Sequence, residues 1–506
     1  MGSSFSCYEI GRQGMFVSQR GLDVTGHNIS NVDTVGYVRQ TTVLAEKSPL
    51  SYAGYKIGTG VDIDEVRQMR SIFLDNMYRK ENSSLSYWNT MSKSVEEIES
   101  VMDNLSEDGI GNAINAFFGG WEELAKDPES RSCREALVEY GTSLVDMVNQ
   151  LSEQLGQMQK DLDAQIRDMA NRINSIAGQV ADLNGLILKN ELGGNHANDY
   201  RDQLNALLDT LSGYANIKVT EDSRGMVSVT LGGATLVNGT NAMKLSCSTN
   251  SSNGAFTTVR WKDSGIEVKL KSGELLALIN SRGDVNGDRG SAENGSPVES
   301  GTREEDVDSD SEAYSFSGTS ENLLSELRTG LNLLVSLMTR KINAIHRSGV
   351  GLDGSTGVDF FVKIDESLPF EAGNIKINPA LEDPNKIAAS ATGASGDVSI
   401  ADKIVDFKST EYFRNDSLKM NIDDFYSFLV NWVGTAGEEA AGFKTNQGTL
   451  VQQIQNKKEA LSAVSLDEEM TNMIRYQHAY NASVQVVNII DGMLDKIING
   501  TGTVGR

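Results

Sequence analysis

Ser465-Leu466-Asp467-Glu468-Glu469-Met470-Thr471-Asn472-Met473-Ile474-Arg475-Tyr476-Gln477-His478-Ala479-Tyr480-Asn481-Ala482-Ser483-Val484 opens a run that continues to Asn499 and reads as one long helix. Apolar or aromatic side chains stand at Leu466, Met470, Met473, Tyr480, Val484, Val487, Leu494 and Ile498, in steps of three and four interrupted by polar Gln477 and Asp491. Steps of that size place side chains on one helix face, the seam along which a second helix packs. Ser465 followed by Glu468 predicts a capping box, and Asn499-Gly500 predicts a left-handed stop.

The matching seam lies at the other end of the chain. Tyr8, Met15, Leu22 and Ile29 recur every seven positions, and the sites between them, Gly11, Ser18 and Thr25, are small enough for a second helix to come close. Alone this helix is weak, because Gly11, Gly14, Gly21 and Gly26 each cost about 1 kcal/mol against alanine. The expectation is a terminal α-helical coiled-coil pair that orders on pairing or assembly.

Charge and composition exclude several function classes. With 506 residues, 39% of them apolar and 23% charged, the chain has material for two to four globular domains. A formal charge of −25 argues against nucleic acid and anionic membrane as partners. Cys7, Cys133 and Cys247 are too few and too scattered for a disulfide framework or a zinc site, and no bridge is expected. Met-Gly-Ser-Ser-Phe-Ser lacks a basic and apolar secretory leader, and no run approaches a membrane span.

The pattern between the ends is nested. Residues 1–36 form the N-terminal half of the terminal helical domain, and 37–64 read as an irregular connector with short β-like alternations. Residues 65–213 form the first part of a helical bundle: a helix to about Asn104, a break at Gly119-Gly120, and a rod of about 60 residues. The rod carries Leu144, Leu151, Leu155, Met158, Leu162, Met169, Ile173, Ile176, Val180, Leu183 and Ile187 on one face, which most simply fills a core within the chain. Residues 214–320 change to period two and read as an inserted β-rich domain ending in an acidic, mobile loop over 283–320. Residues 321–464 return to the bundle, irregular over 349–420 and broken again near Gly434 to Gly442, and 465–506 complete the terminal domain. The predicted class is therefore α+β multidomain, with a terminal coiled-coil pair, an elongated helical bundle and a β-rich insertion.

Two segments carry a family resemblance. Gly21-Leu22-Asp23-Val24-Thr25-Gly26-His27-Asn28-Ile29-Ser30-Asn31-Val32-Asp33-Thr34-Val35-Gly36-Tyr37-Val38-Arg39-Gln40 resembles the N-terminal signature of bacterial flagellar rod, hook and hook-associated proteins, with Val35 where proline is usual. Ser465 to Met470 together with Tyr476 to Ser483 resembles their C-terminal signature. Phe117-Phe118, Asp127-Pro128, Asp199 to Leu204, Asn343 to His346 and Gly357 to Phe361 resemble landmarks of the hook-associated protein 1 family at the hook–filament junction. The resemblance implies a secreted structural molecule of the bacterial-type flagellum, needed for its assembly and for motility. It implies a ring in the flagellar axis built from paired terminal helices, with hook protein and the third hook-associated protein as neighbours. It also implies type III export without a cleaved signal peptide to an extracellular place on the flagellum, and a cytoplasmic export chaperone on the C-terminal helix. The twelve seam residues named above are then the self-assembly and partner-binding candidates.

No catalytic, cofactor-binding or metal constellation emerges. His27, His196, His346 and His478 lack partners at ligand or triad spacing. Asp284, Asn286 and Asp288 imitate the start of a calcium loop, but Arg289 stands at the sixth position and Gly295 at the twelfth. Arg282-Gly283-Asp284 reads as a chance adhesion tripeptide. The rival readings are another flagellar axial protein, such as hook or distal rod, and a secreted enzyme or adhesin carried on an axial-protein scaffold.

Overall fold

The computed structural model describes residues 2–34, 36–52, 55–103, 109–192, 196–222, 224–249, 256–283, 314–315, 322–394, 396–415 and 418–500. Despite its glycines the N-terminal stretch is a single helix, α1 (Gly2–Ser30). The segment expected as an irregular connector is an ordered β-ribbon. Strand β1 (Gln40–Glu46) leads to the hairpin β2 (Leu50–Tyr52) and β3 (Tyr55–Ile57), and returns as β4 (Val61–Gln68), antiparallel to β1 with a bulge between Val43 and Leu44. The ribbon packs on α1.

The helical body follows. Helix α2 (Ile72–Asp103) begins later than the expected Glu65, because Glu65 to Gln68 are still paired in β4. Helix α3 (Ile110–Lys126) runs unbroken through Gly119-Gly120, where a break was expected. A methyl group at Gly120 would lie 3.0 Å from Tyr140 and 3.1 Å from Leu137, so glycine there serves a close approach between α3 and the next helix. That helix is the expected rod, α4 (Arg131–Glu191), capped by the Ser130 side chain and about 90 Å long at 1.5 Å per residue. Leu144, Leu151, Leu155, Leu162, Met169, Ile173, Val180 and Ile187 are buried in a core shared with α2, α3 and α5 (Asn198–Tyr214), as the intrachain reading anticipated.

The period-two stretch forms β5 (Ile217–Glu221), β6 (Val227–Leu231), β7 (Ala234–Asn238) and β8 (Asn241–Ala242) as one antiparallel sheet in that order. The hairpin β9 (Leu245–Thr249) and β10 (Thr257–Trp261) follows it. These strands rest on α4. Asn184 of α4 exchanges hydrogen bonds with the Val227 backbone and reaches the Gly239 carbonyl, and Val229, Leu231, Leu236 and Val259 join the same continuous core. Helix α6 (Glu274–Arg282) closes this part.

Of the acidic stretch 283–320, residues 284–313 and 316–320 lie outside the described residues, as do the calcium-like positions Asp284, Asn286 and Asp288 and the signature's Val35. Tyr314 and Ser315 are a strand, β11 (Tyr314–Ser315), where only loop was expected. Helix α7 (Leu323–Arg347) is followed by β12 (Val350–Gly351), β13 (Phe361–Lys363), β14 (Ile375–Ile377), β15 (Ala388–Ser390), α8 (Ser399–Ser409), β16 (Phe413–Asn415) and β17 (Leu418–Met420). Strand β11 adds parallel to β16, β12 pairs with β15, and β13 with β14. Phe117, Trp121, His346, Phe360 and Phe361 form one buried ring cluster that ties this region to α3.

Helix α9 (Ile422–Ser462) is continuous through Gly434 to Gly442, against the expected break. At Gly437 a methyl group would come within 3.1 Å of Val95 on α2, so packing against α2 outweighs the low propensity of glycine. The last described helix is α10 (Leu466–Gly500), whose bounds reach the predicted stop at Asn499-Gly500. Among the described residues no helix is long and apolar enough to cross a membrane.

Candidate assembly site at the paired termini

Helices α1 and α10 pack antiparallel along most of their length. Methyl groups at Gly11, Gly14 and Gly21 would lie 2.9 Å from Val487, 2.6 Å from Ser483 and 2.6 Å from the Tyr476 ring. The line of closest contact is therefore made of small residues on α1. Gly11, Val17, Ser18, Gly21, Val24, Thr25 and Asn28 are buried, while Met15, Leu22 and Ile29 are half-buried and Tyr8 is exposed.

The large residues proposed as the α1 seam thus flank the contact, because the small positions between them bring the helices too close for bulk on the centre line. On α10, Met473, Tyr480, Val484, Val487 and Leu494 are half-buried, and Leu466, Met470 and Ile498 are exposed. Sequence reasoning missed Ile490 and Glu469, both buried on this helix. Ile490 follows the three–four step from Val487 and was open to detection, whereas a lone glutamate carries no such signal.

A polar node closes the base of the pair. The Asn28 amide donates to the Gln40 carbonyl at 2.9 Å and to Glu469 at 3.2 Å. Its own oxygen accepts from the Gln40 amide at 3.0 Å and the Tyr37 hydroxyl at 2.7 Å. Arg39 donates to Glu469 at 2.8 Å and to Glu468 at 2.7 Å, so the expected capping glutamate turns to Arg39 instead. Burial, with the charges of Asp202, Asp199 and Glu469, pushes the Tyr37 phenol well above its ordinary range, which keeps the hydroxyl protonated and donating to Asn28.

A second node joins α2, α5 and α9 just below. Asp209 accepts from Arg79 at 2.7 Å and from Lys458 at 2.7 Å, and Lys458 also stands 3.3 Å from Asp75. Burial raises the Asp75 carboxyl, but the Arg70 hydrogen bond with the charges of Arg70, Lys458 and Arg79 outweighs it and holds the group below its usual value. In the first node Asn28 and Glu469 are buried while Glu468 is exposed, and in the second Asp75 and Arg79 are buried. Elsewhere, His27 lies 3.0 Å from the Tyr37 hydroxyl, His196 pairs with Glu65, and His346 is buried. Arg282 is buried against Asp163 at 2.6 Å and does not present the adhesion tripeptide. Cys7, Cys133 and Cys247 are unpaired, and no group of three or more ligating side chains occurs among the described residues.

The far side of α10 is left open. Met470, Ile474, Val486, Ile489, Met493 and Ile497 follow helical steps on surface that α1 does not cover, with Ile489 58% and Met493 57% exposed. Val486, Ile489, Met493 and Ile497 lie close together on this side, and an exposed apolar patch marks an interaction face.

Residues 95–361 match the family model described as flagellar hook-associated protein FlgK helical domain. The chain belongs to this family. Residues 460–500, which include α10, match the model described as flagellar basal body rod FlgEFG protein C-terminal. The flagellar hook-associated protein 1 of Bacillus subtilis is 29% identical over the whole of both chains. That of Salmonella typhimurium is 24% identical over 96% of this chain and 98% of its own. The flagellar hook junction protein FlgK from Burkholderia pseudomallei has a similar fold, with a TM-score of 0.59 and 14% identity, covering 77% of this chain and all of that one. As a FlgK family member the chain is a structural component of the flagellum, mostly helical with several small sheets.

Proposed function

We propose that this protein joins hook to filament, polymerising through α1 and α10 into the hook-distal layer of the junction. The observation that carries the reading is the apolar face of α10 that its own α1 leaves uncovered. Burying six half-exposed apolar side chains contributes about 1 kcal/mol each, enough in sum to drive ring formation when many exported copies meet at the distal end of the hook. The twelve seam residues act as the self-assembly surface, those on α1 through the flanks of the contact. The terminal pair forms the axial tube, the bundle over 65–213 and 321–464 surrounds it, and the β-rich insertion over 214–320 projects outward.

Hook protein on one side and the third hook-associated protein on the other are the axial neighbours. Before export the open face of α10 is the surface for a cytoplasmic chaperone, since an amphipathic helix of this kind suits a grooved partner. The chain then works outside the cell, as a scaffold with no catalytic role. Negative-stain imaging of cells lacking the protein is expected to show hooks without filaments and flagellin shed into the medium. Normal filaments would end this reading, and finding the protein in the rod or throughout the hook would assign it another axial position.

A further inference from the structure

The β-rich part of the chain holds a hollow that its strands do not fill. The sheet β5 to β8 and the hairpin of β9 and β10 both rest on α4, and between the β6–β7 turn and the stretch after β10 lies an open space of about 470 Å3. A volume of that size takes a small molecule or a few residues of extended chain.

One wall of the hollow is an unfinished sheet edge. After the turn at 262–264 the chain runs back beside β10. The Trp261 amide donates to the Ile266 carbonyl at 2.8 Å and the Val268 amide to the Val259 carbonyl at 3.1 Å, with Arg260 and Glu267 paired between them. In an antiparallel ladder the backbone groups of successive residues point alternately to the two sides. Ile266 and Val268 therefore face β10, and Glu267, which lines the hollow, turns its N–H and C=O away from β10. Among the described residues neither of these two groups takes a hydrogen bond. Across the space, Ala234 and Thr235 pair with β6 on one side, while on the other β8 pairs only with Val237 and Asn238. Gly232 closes one end, since a methyl group there would lie 2.1 Å from the Lys269 carbonyl oxygen.

We propose that this hollow is a strand-addition site, taking an extended peptide segment of a partner protein as one more strand on the Glu267 edge. The segment lays an apolar side chain against Met243, Ile266 and Trp261, of which Ile266 is 64% and Met243 44% exposed while Trp261 is buried. Lys244, Lys269, Asp263 and Glu267 line the same space, and none of them is held in an ion pair among the described residues. Two free charges of each sign complement a segment that carries both, and oppose a polyanion or a polycation. Backbone bonds to the open edge supply affinity, and the hollow beside it selects the side chain. The site lies wholly within the β-rich part and is independent of how the termini assemble.

Methyl NMR of the full-length chain tests this, with the capped peptide acetyl-Glu-Val-Thr-Val-Lys-Val-amide as the probe. Saturable shifts are expected at Met243 and Ile266 and not at Leu144 or Leu151 of α4. Two further versions of the peptide, N-methylated at one or the other alternate set of residues, keep the side chains but remove strand bonds, and at least one of them is expected to bind about tenfold more weakly. Glu267→Pro removes the free N–H without breaking an internal bond, and proline is tolerated on a sheet edge. It is expected to weaken the unmethylated peptide about tenfold, whereas Glu267→Ala keeps the N–H and is expected to stay within about threefold of the natural chain. No shift at millimolar peptide, shifts centred elsewhere, equal binding of all three peptides, or equal binding by Glu267→Pro and Glu267→Ala would overturn the assignment. The comparison of the three peptides on the natural chain holds even if a variant fails to fold.

Discussion

Asn28 and Glu469 stand 441 positions apart in the chain and meet in a buried hydrogen bond of 3.2 Å. Around that bond the ends of the molecule are held in register: Asn28 clamps the Gln40 backbone, and Glu469 takes Arg39 from the same loop. The apolar packing of α1 on α10 is adaptable along the helix axis, whereas this node has one geometry. It fixes which turn of α10 faces which turn of α1.

Removing the carboxylate exposes the node's contribution. Glu469→Ala leaves the half-buried Arg39 with only the exposed Glu468 and leaves the Asn28 amide one acceptor short. Losing hydrogen bonds to a charged group costs about 2–3 kcal/mol. Hydrogen exchange of α1 and α10 is expected to quicken accordingly, with the α4 core unaffected.

Two glycines of α1 make opposite forecasts. Gly21→Ala puts a methyl 2.6 Å from the Tyr476 ring, whose hydroxyl is tied to Thr42 at 3.2 Å, so the helices must part at a cost of about 1–3 kcal/mol. Gly26 has nothing within 4 Å of an added methyl, and Gly26→Ala is expected to stabilise α1 by about 0.5–1 kcal/mol. Thermal melts of the two variants, followed by exchange of α1 peptides, should therefore move in opposite directions.

What the sequence made legible followed from how local each signal is. The rod α4 could be read because its apolar face repeats within one continuous stretch, and all of the residues named on that face are buried except half-buried Met158. Gly434 to Gly442 misled because propensity is a local quantity, while the closeness of Gly437 to α2 is tertiary. On α1 the small sites Gly11, Ser18 and Thr25, read as the place of close approach, are buried, whereas Tyr8, Met15, Leu22 and Ile29, read as the apolar seam, lie beside the contact. Glu469 was out of reach, since its partner Arg39 lies 430 positions away and a charge on a helix usually faces water.

His346 gives the helical body an acid sensitivity of known sign. Its Nδ1 donates to the Val358 carbonyl at 2.6 Å and its Nε2 accepts from the Ala388 amide at 2.9 Å, so the ring is held neutral. Burial pushes its pKa down to about 4. The unfolded chain takes up this proton below about 6.5 and the folded chain does not, so stability falls as pH drops from about 6.5 to about 4. The full loss is about 3 kcal/mol. Urea unfolding followed by tryptophan fluorescence should show this slope in the natural chain and a shallower one in His346→Gln.

The open face of α10 should separate folding from assembly. Ile489 is exposed in the single chain, so Ile489→Asp removes apolar surface that only another molecule would cover and is expected to leave melting of the body unchanged. Val484 and Leu22 are half-buried, and Val484→Asp or Leu22→Asp should in addition loosen the pair itself. Sedimentation of the purified variants at high concentration, with filament attachment in cells, distinguishes the two effects. If the α10 face is the polymerising surface, Ile489→Asp yields well-folded chains that neither associate nor retain filaments. Association and filament attachment at the natural level in that variant would mean that assembly runs through some other surface.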